Sequence, residues 1–189
     1  MAINTLYLDN GILKSANLKY HSQNPNSISL RNIFQPPVFS LIQKKLYESE
    51  YSRRFKPFQY MYHATKLKEI GSFIKGYYFT AIAKKILGIG NFKVNYEIRQ
   101  FQAGDYTLLH DAISNEPAID FVIDFSKSAD NYGGYTVYLN EGEELLHLNP
   151  HPNTLSFVEK KPGMMKYTKY VTHRQKRPIL QVCGSIFEK

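Results

Sequence analysis

The chain has 189 residues, 24 Lys or Arg against 16 Asp or Glu, a net charge of +8 and one cysteine, Cys183. This length predicts a single domain over residues 1–189 with a core large enough to stand without disulfides, and one cysteine excludes a disulfide within the chain. The longest apolar run, Phe79 to Gly90, is interrupted by Lys84 and Lys85, and Met1 to Leu6 lacks the basic start of a secretory signal. A cytoplasmic protein in a reducing compartment, with no membrane contact, is expected.

Charge is spread unevenly. Residues 1–100 carry 15 basic against 5 acidic side chains, residues 101–150 carry 1 against 9, and residues 151–189 carry 8 against 2. A basic exterior of this kind suits nucleic acid, a ribosome or an acidic partner.

Residues 1–27 are mixed and polar, with Asn24-Pro25-Asn26 near their end, and predict an extended lead-in and a loop. Residues 28–90 read as a helical support. Pro36-Pro37 opens a helix in which Val38, Leu41, Ile42 and Leu46 recur at helical spacing, and Arg53 to Phe58 ends it in a loop. Ile70, Phe73, Ile74 and Tyr77 predict a second helix, and Ala81 to Leu87 a third, closed by Gly88 and Gly90. At Asn91 the apolar period falls to two, as Phe92, Val94, Tyr96 and Ile98 alternate with polar residues. Further strands are predicted over Tyr106 to Ala112, Ile119 to Phe125, Tyr135 to Asn140, Leu145 to Leu148, Asn153 to Glu159, Tyr167 to Thr172 and Ile179 to Phe187. Eight strands after a helical lead predict an α+β, mainly β fold, in which residues 91–189 form a barrel or jelly roll braced by the helices.

His110 and Asp111 lie together inside a predicted strand, and His173 lies 63 residues on, a pattern that suggests a two-histidine, one-carboxylate iron site. Strand geometry opposes the simplest version, because Asp111 points away from His110 and the residue sharing its face is Ala112. A bulge would be needed to bring Asp111 round. His147 and His151 flank Asn149-Pro150 and read as loop residues. His21 and His63 have no identifiable partner, and Cys183 reads as a small buried hydrophobe.

The segments Gly104 to Asp111, Gly133 to Tyr138, Leu145 to Pro150, Asn153 to Val158 and Lys169 to Arg174, in this order and spacing, resemble the double-stranded β-helix (jelly roll, cupin-like) of Fe(II)/2-oxoglutarate-dependent oxygenases of the prolyl 4-hydroxylase kind. The closest likeness is to the non-catalytic C-terminal β-helix domain of eukaryotic ribosomal-protein prolyl hydroxylases. This resemblance implies a carboxylate ligand at the place of Ala112 and a second histidine at the place of Lys166 and Tyr167. It implies that Lys176 or Arg177 takes the position of the residue that holds 2-oxoglutarate.

Three functions follow as expectations. The first is a pseudoenzyme with a degenerate metal site and no cofactor, binding a protein or ribonucleoprotein partner of a ribosome-related kind. The second is an active dioxygenase that hydroxylates its substrate with Fe(II) held by His110, Asp111 and His173 and 2-oxoglutarate held by Lys176 and Arg177. The third is an RNA contact through Arg53, Arg54, Lys160, Lys161, Arg174, Lys176 and Arg177, with Tyr60, Tyr62, Tyr77 and Tyr78 as stacking platforms.

Overall fold

The computed structural model describes residues 3–108, 117–127 and 132–189. After a short 3-10 turn (Thr5–Leu8), helix α1 runs over Asn10–His21, started by the Asp9 carboxylate accepting the Ile12 N–H at 2.9 Å. Side-chain capping of this kind stabilises a helix start by about 1 kcal/mol. This helix replaces the lead-in expected over residues 1–27. Only Leu13, Ala16 and Tyr20 are buried on it, while Ile12 and Leu18 are exposed. So weak an apolar stripe is stabilised by tertiary packing rather than announced by its own periodicity.

Strand β1 (Ser27–Arg31) buries Ile28 and Leu30, and helix α2 (Pro36–Glu48) follows with proline in its first turn, as expected. The loop expected at Arg53 to Phe58 is instead a hairpin of β2 (Ser52–Lys56) and β3 (Tyr60–Thr65). Every residue of β2 is exposed, so the strand has no buried face to produce a period of two. Helices α3 (Lys68–Ile74) and α4 (Tyr77–Leu87) then complete the support, with Ile70, Phe73, Phe79, Ile82 and Ile86 buried.

The strand half begins with β4 (Phe92–Phe101) and β5 (Tyr106–Thr107). It continues with β6 (Ala118–Asp124), β7 (Thr136–Asn140), β8 (Glu143–Leu148) and β9 (Thr154–Lys160). It closes with β10 (Met165–Thr168) and β11 (Ile179–Glu188). All pairings are antiparallel, in the order β1-β9-β6-β11-β4-β3-β5-β10-β7-β8, with β2 on β3. This curled sheet, braced on one face by helices, is the mainly β double-stranded β-helix expected from the sequence.

Two strand boundaries differ in ways that bear on function. Of the strand expected from Tyr106 to Ala112, the described residues form a ladder at Tyr106–Thr107, and His110, Asp111 and Ala112 lie outside the described residues. The strand expected at Tyr167 to Thr172 starts earlier, at Met165. Beyond Thr168 the backbone still bonds across the barrel, Lys169 N–H to the Tyr135 carbonyl and Val171 N–H to the Asp105 carbonyl, both at 2.9 Å, but no longer as a regular ladder.

Alternation sorts the large sheet into two faces. Phe121 and Ile123, Leu155 and Phe157, and Leu180, Val182 and Ile186 pack with Phe34, Phe73 and Phe79 against the helices. Burying each such side chain contributes roughly 1.5–3 kcal/mol. The intervening residues point the other way, into the barrel.

Candidate functional site: the barrel interior

The interior face is polar where an ordinary core would be apolar. β6 supplies Asp120 and Asp124, and β11 supplies Ser185 and Gln181 opposite them, with Cys183 between, opposite Val122. β4 adds Glu97 opposite Cys183 and Arg99 opposite Gln181. From the other half of the barrel, β10 contributes Lys166 and β7 contributes Tyr138, which are themselves paired across their strands.

Two charge clusters result. Asp120, 2% exposed, receives the Lys166 Nζ at 2.7 Å, the Ser185 hydroxyl at 2.6 Å and the Tyr138 hydroxyl at 3.4 Å. Because Lys166 and Asp120 belong to opposite halves of the barrel, their ion pair crosses its interior. In the second cluster, Glu97 Oε2 accepts from Tyr62 Oη at 2.8 Å and from Arg99 Nε at 2.9 Å, and the Arg99 guanidinium lies 4.6 Å over the Tyr62 ring. A cavity of about 270 Å³ lined by Arg99, Lys166, Cys183 and Ser185 separates the clusters.

Electrostatics follow burial. Burial pushes the Cys183 thiol up, an effect that the Arg99 and Lys166 charges oppose. Burial likewise raises Tyr138 well above the usual phenol range, reinforced by the adjacent Asp120. Asp124 is raised to about 6 by burial, although it accepts the Ser126 N–H at 2.8 Å and the Gln181 amide at 3.2 Å. Most of these residues were not singled out from the sequence. The available signals were two acids, Asp120 and Asp124, on one face of a strand otherwise made of Ala, Ile, Phe and Val, and an i, i+2 Glu-Arg pair in β4.

The described residues do not fit the iron site that the resemblance implies. Of Lys166 and Tyr167, to which the resemblance gives the place of the second histidine, Lys166 faces inward as an ammonium, which has three donors and no lone pair for a metal. His173, the substitute ligand expected from the sequence, is exposed on the turn between β10 and β11. Lys176 and Arg177, which the resemblance gives to 2-oxoglutarate, are exposed on the same connection. Among the described residues no group of three or more His, Cys, Asp or Glu is placed to hold a metal ion.

Among the described residues, three further histidines have local partners. His147, on β8, lies 4.1 Å from the Tyr135 ring and 3.5 Å from Glu144, and His151 lies 3.2 Å from the Thr154 hydroxyl. His63, for which the sequence suggested no partner, lies 3.2 Å from Asp105, a buried carboxylate that also accepts the Gln102 N–H.

Register separates the basic residues expected to act together. Arg53 aligns through His63 and Gln100 with Leu180, which places Arg53 and Arg54 at the same end of the sheet as the connection carrying Arg174, Lys176 and Arg177. Lys160 pairs with Ala118 at the other end, several strands away, and Lys161 follows it, bonded to Asn24 at 3.1 Å. Of the tyrosines expected to stack on bases, Tyr62 is committed to the interior and rests against Phe101, while Tyr77 and Tyr78 are exposed on α4.

The fold is that of Fe(II)/2-oxoglutarate oxygenases. The Pseudomonas putida prolyl-4-hydroxylase superposes with a TM-score of 0.66 at 12% identity, over 94% of this chain and 100% of that one. A Trichoplax adhaerens prolyl hydroxylase, solved with a peptide fragment of the hypoxia inducible factor oxygen degradation domain, gives 0.64 at 12% identity over 95% and 90%. The chain belongs to the family described as oxoglutarate and iron-dependent oxygenase degradation C-term, whose model matches residues 55–187. Among curated proteins it is 35% identical over 82 residues to the Mus musculus prolyl 3-hydroxylase OGFOD1, covering 41% of this chain and 15% of that protein. The Xenopus laevis protein of the same name is 33% identical over 88 residues, covering 43% and 17%. The chain thus spans about a sixth of the length of the curated relatives it matches.

Proposed function

We propose that this chain is a non-catalytic, cytoplasmic binding module on the oxygenase fold, which engages a protein or ribonucleoprotein partner instead of hydroxylating a substrate. The Lys166–Asp120 ion pair carries this reading. It fills the interior with a fixed cation and its counter-charge where the resemblance calls for a neutral imidazole. The family match, to a C-terminal domain of longer oxygenases, and the basic exterior support it.

Anaerobic calorimetry with Fe(II), with and without 2-oxoglutarate, tests the reading. No saturable iron binding is expected. Micromolar iron binding that His110→Ala abolishes, or succinate release coupled to 2-oxoglutarate consumption, would establish the active hydroxylase instead.

A further inference from the structure

Strand β3 runs beside β4 for only three residues, His63 to Thr65 opposite Gln100 to Ile98. At Thr65 the chain leaves the sheet toward α3, while β4 continues to Phe92, paired along its other side with β11. Among the described residues, the edge of β4 from Phe92 to Glu97 therefore has no strand beside it. A free edge offers unpaired N–H and C=O groups at alternate residues, in the spacing another strand requires.

Where this edge begins, a groove of about 1150 Å³ opens between β4, the end of the β2–β3 hairpin and α3. Gly71 lets α3 approach the strand closely, since a Cβ there would lie 2.8 Å from the Tyr96 hydroxyl. The groove is bordered by Arg54, Lys66, Lys68 and Lys75. None of these four forms an ion pair among the described residues. Of the two carboxylates there, Glu97 is already bonded to Arg99 and Tyr62, which leaves Glu50 against four cations. Lys93, exposed on the free edge itself, adds a fifth.

We propose that this edge and groove bind an acidic, extended segment of a protein partner, which adds as a strand to β4 and lays its carboxylates over the groove's lysines and Arg54. The proposal rests on the binding-module reading above and names the class of partner. The main chain of β4 selects an extended polypeptide, because strand addition satisfies backbone groups that a helix or a nucleic acid leaves unpaired. The charge selects Asp and Glu at the alternate positions. A six-residue edge accommodates a segment of roughly 20 Å at the usual rise per residue.

The test is fluorescence anisotropy on the whole chain with a labelled ten-residue peptide of alternating valine and glutamate. Saturable binding is expected, weakened at least tenfold by Lys68→Glu with Lys75→Glu, two exposed positions whose thermal melts report that folding is unaffected. A peptide of alternating valine and lysine should not bind. N-methylation of one alternate set of peptide residues should abolish binding, and methylation of the other set should spare it. The proposal is overturned by absence of saturable binding, by charge reversal without effect, by equal binding of both N-methylated forms, or by a labelled oligouridylate that binds more tightly at the same residues. A chain that binds neither iron nor this peptide would lose this inference and keep the reading on which it rests.

Discussion

The Lys166 ammonium and the Asp120 carboxylate meet across the barrel at 2.7 Å, one from β10 and one from β6, so two halves of the sheet are joined by charge as well as by packing. Removing one partner leaves the other buried charge uncompensated. Lys166→Met should therefore cost about 3–5 kcal/mol in urea unfolding, and Lys166→Met with Asp120→Asn should recover most of the loss. A single variant as stable as the parent would show that the pair is not the clasp described here.

Asp124 gives the protein a pH dependence of unusual sign for a carboxylate. Burial raises it to about 6, so the folded state holds this proton more tightly than the unfolded chain does. Between about pH 4 and pH 6 the folded state binds more protons, and stability falls as pH rises through that window, by roughly 3 kcal/mol from this group. Asp124→Asn should remove that part of the slope. Denaturant midpoints measured for both chains across the window would reveal the difference, and parallel curves would refute the assignment.

Gly184 lies on β11, between Tyr96 of β4 and Phe121 of β6. A Cβ there would sit 2.5 Å from two Phe121 ring atoms and closer still to the Asn95 carbonyl. Gly184→Ala should destabilise by about 1–3 kcal/mol through overpacking, visible as a lowered melting temperature with the fold retained.

Asp105 anchors the turn between β4 and β5 by accepting the Gln102 N–H at 2.8 Å while facing His63. Asp105→Ala should cost roughly 1–3 kcal/mol, because it orphans a donor in the turn. Asp105→Asn keeps an acceptor and should cost less than half as much in the same unfolding assay.

The separation of the basic residues predicts additivity. Reversing Arg53 and Arg54, or Lys160 and Lys161, should each lower the salt needed to elute the chain from heparin. The double reversal should lower it by the sum, since charges far apart with no shared partner act independently. A combined effect well beyond the sum would mean that one surface spans both pairs.

Much of the architecture was legible because burial imposes a period. Phe92 to Ile98 and Ile119 to Phe125 announce strands by alternation, and Val38 to Leu46 announces a helix by its stripe. Elements without that imprint escaped. β2 is exposed throughout, and α1 buries only three side chains. The interior charge clusters escaped for a different reason. Lys166 and Asp120 are 46 residues apart and meet only when the barrel closes, so neither carries a local sign of the other. Lys166 was legible, with Tyr167, at the place the resemblance gives to the second histidine, but its partner was not.

The strand order places β11, formed by residues 179–188, in the middle of the large sheet between β4 and β6. Until those residues have been synthesised, β4 and β6 have nothing to join them, and the helices made first have only half a sheet to cover. Contacts of such long sequence separation slow folding, since loop closure must be met before pairing rewards it. The emerging chain thus carries two incomplete half-sheets with open edges, and a single late insertion closes both.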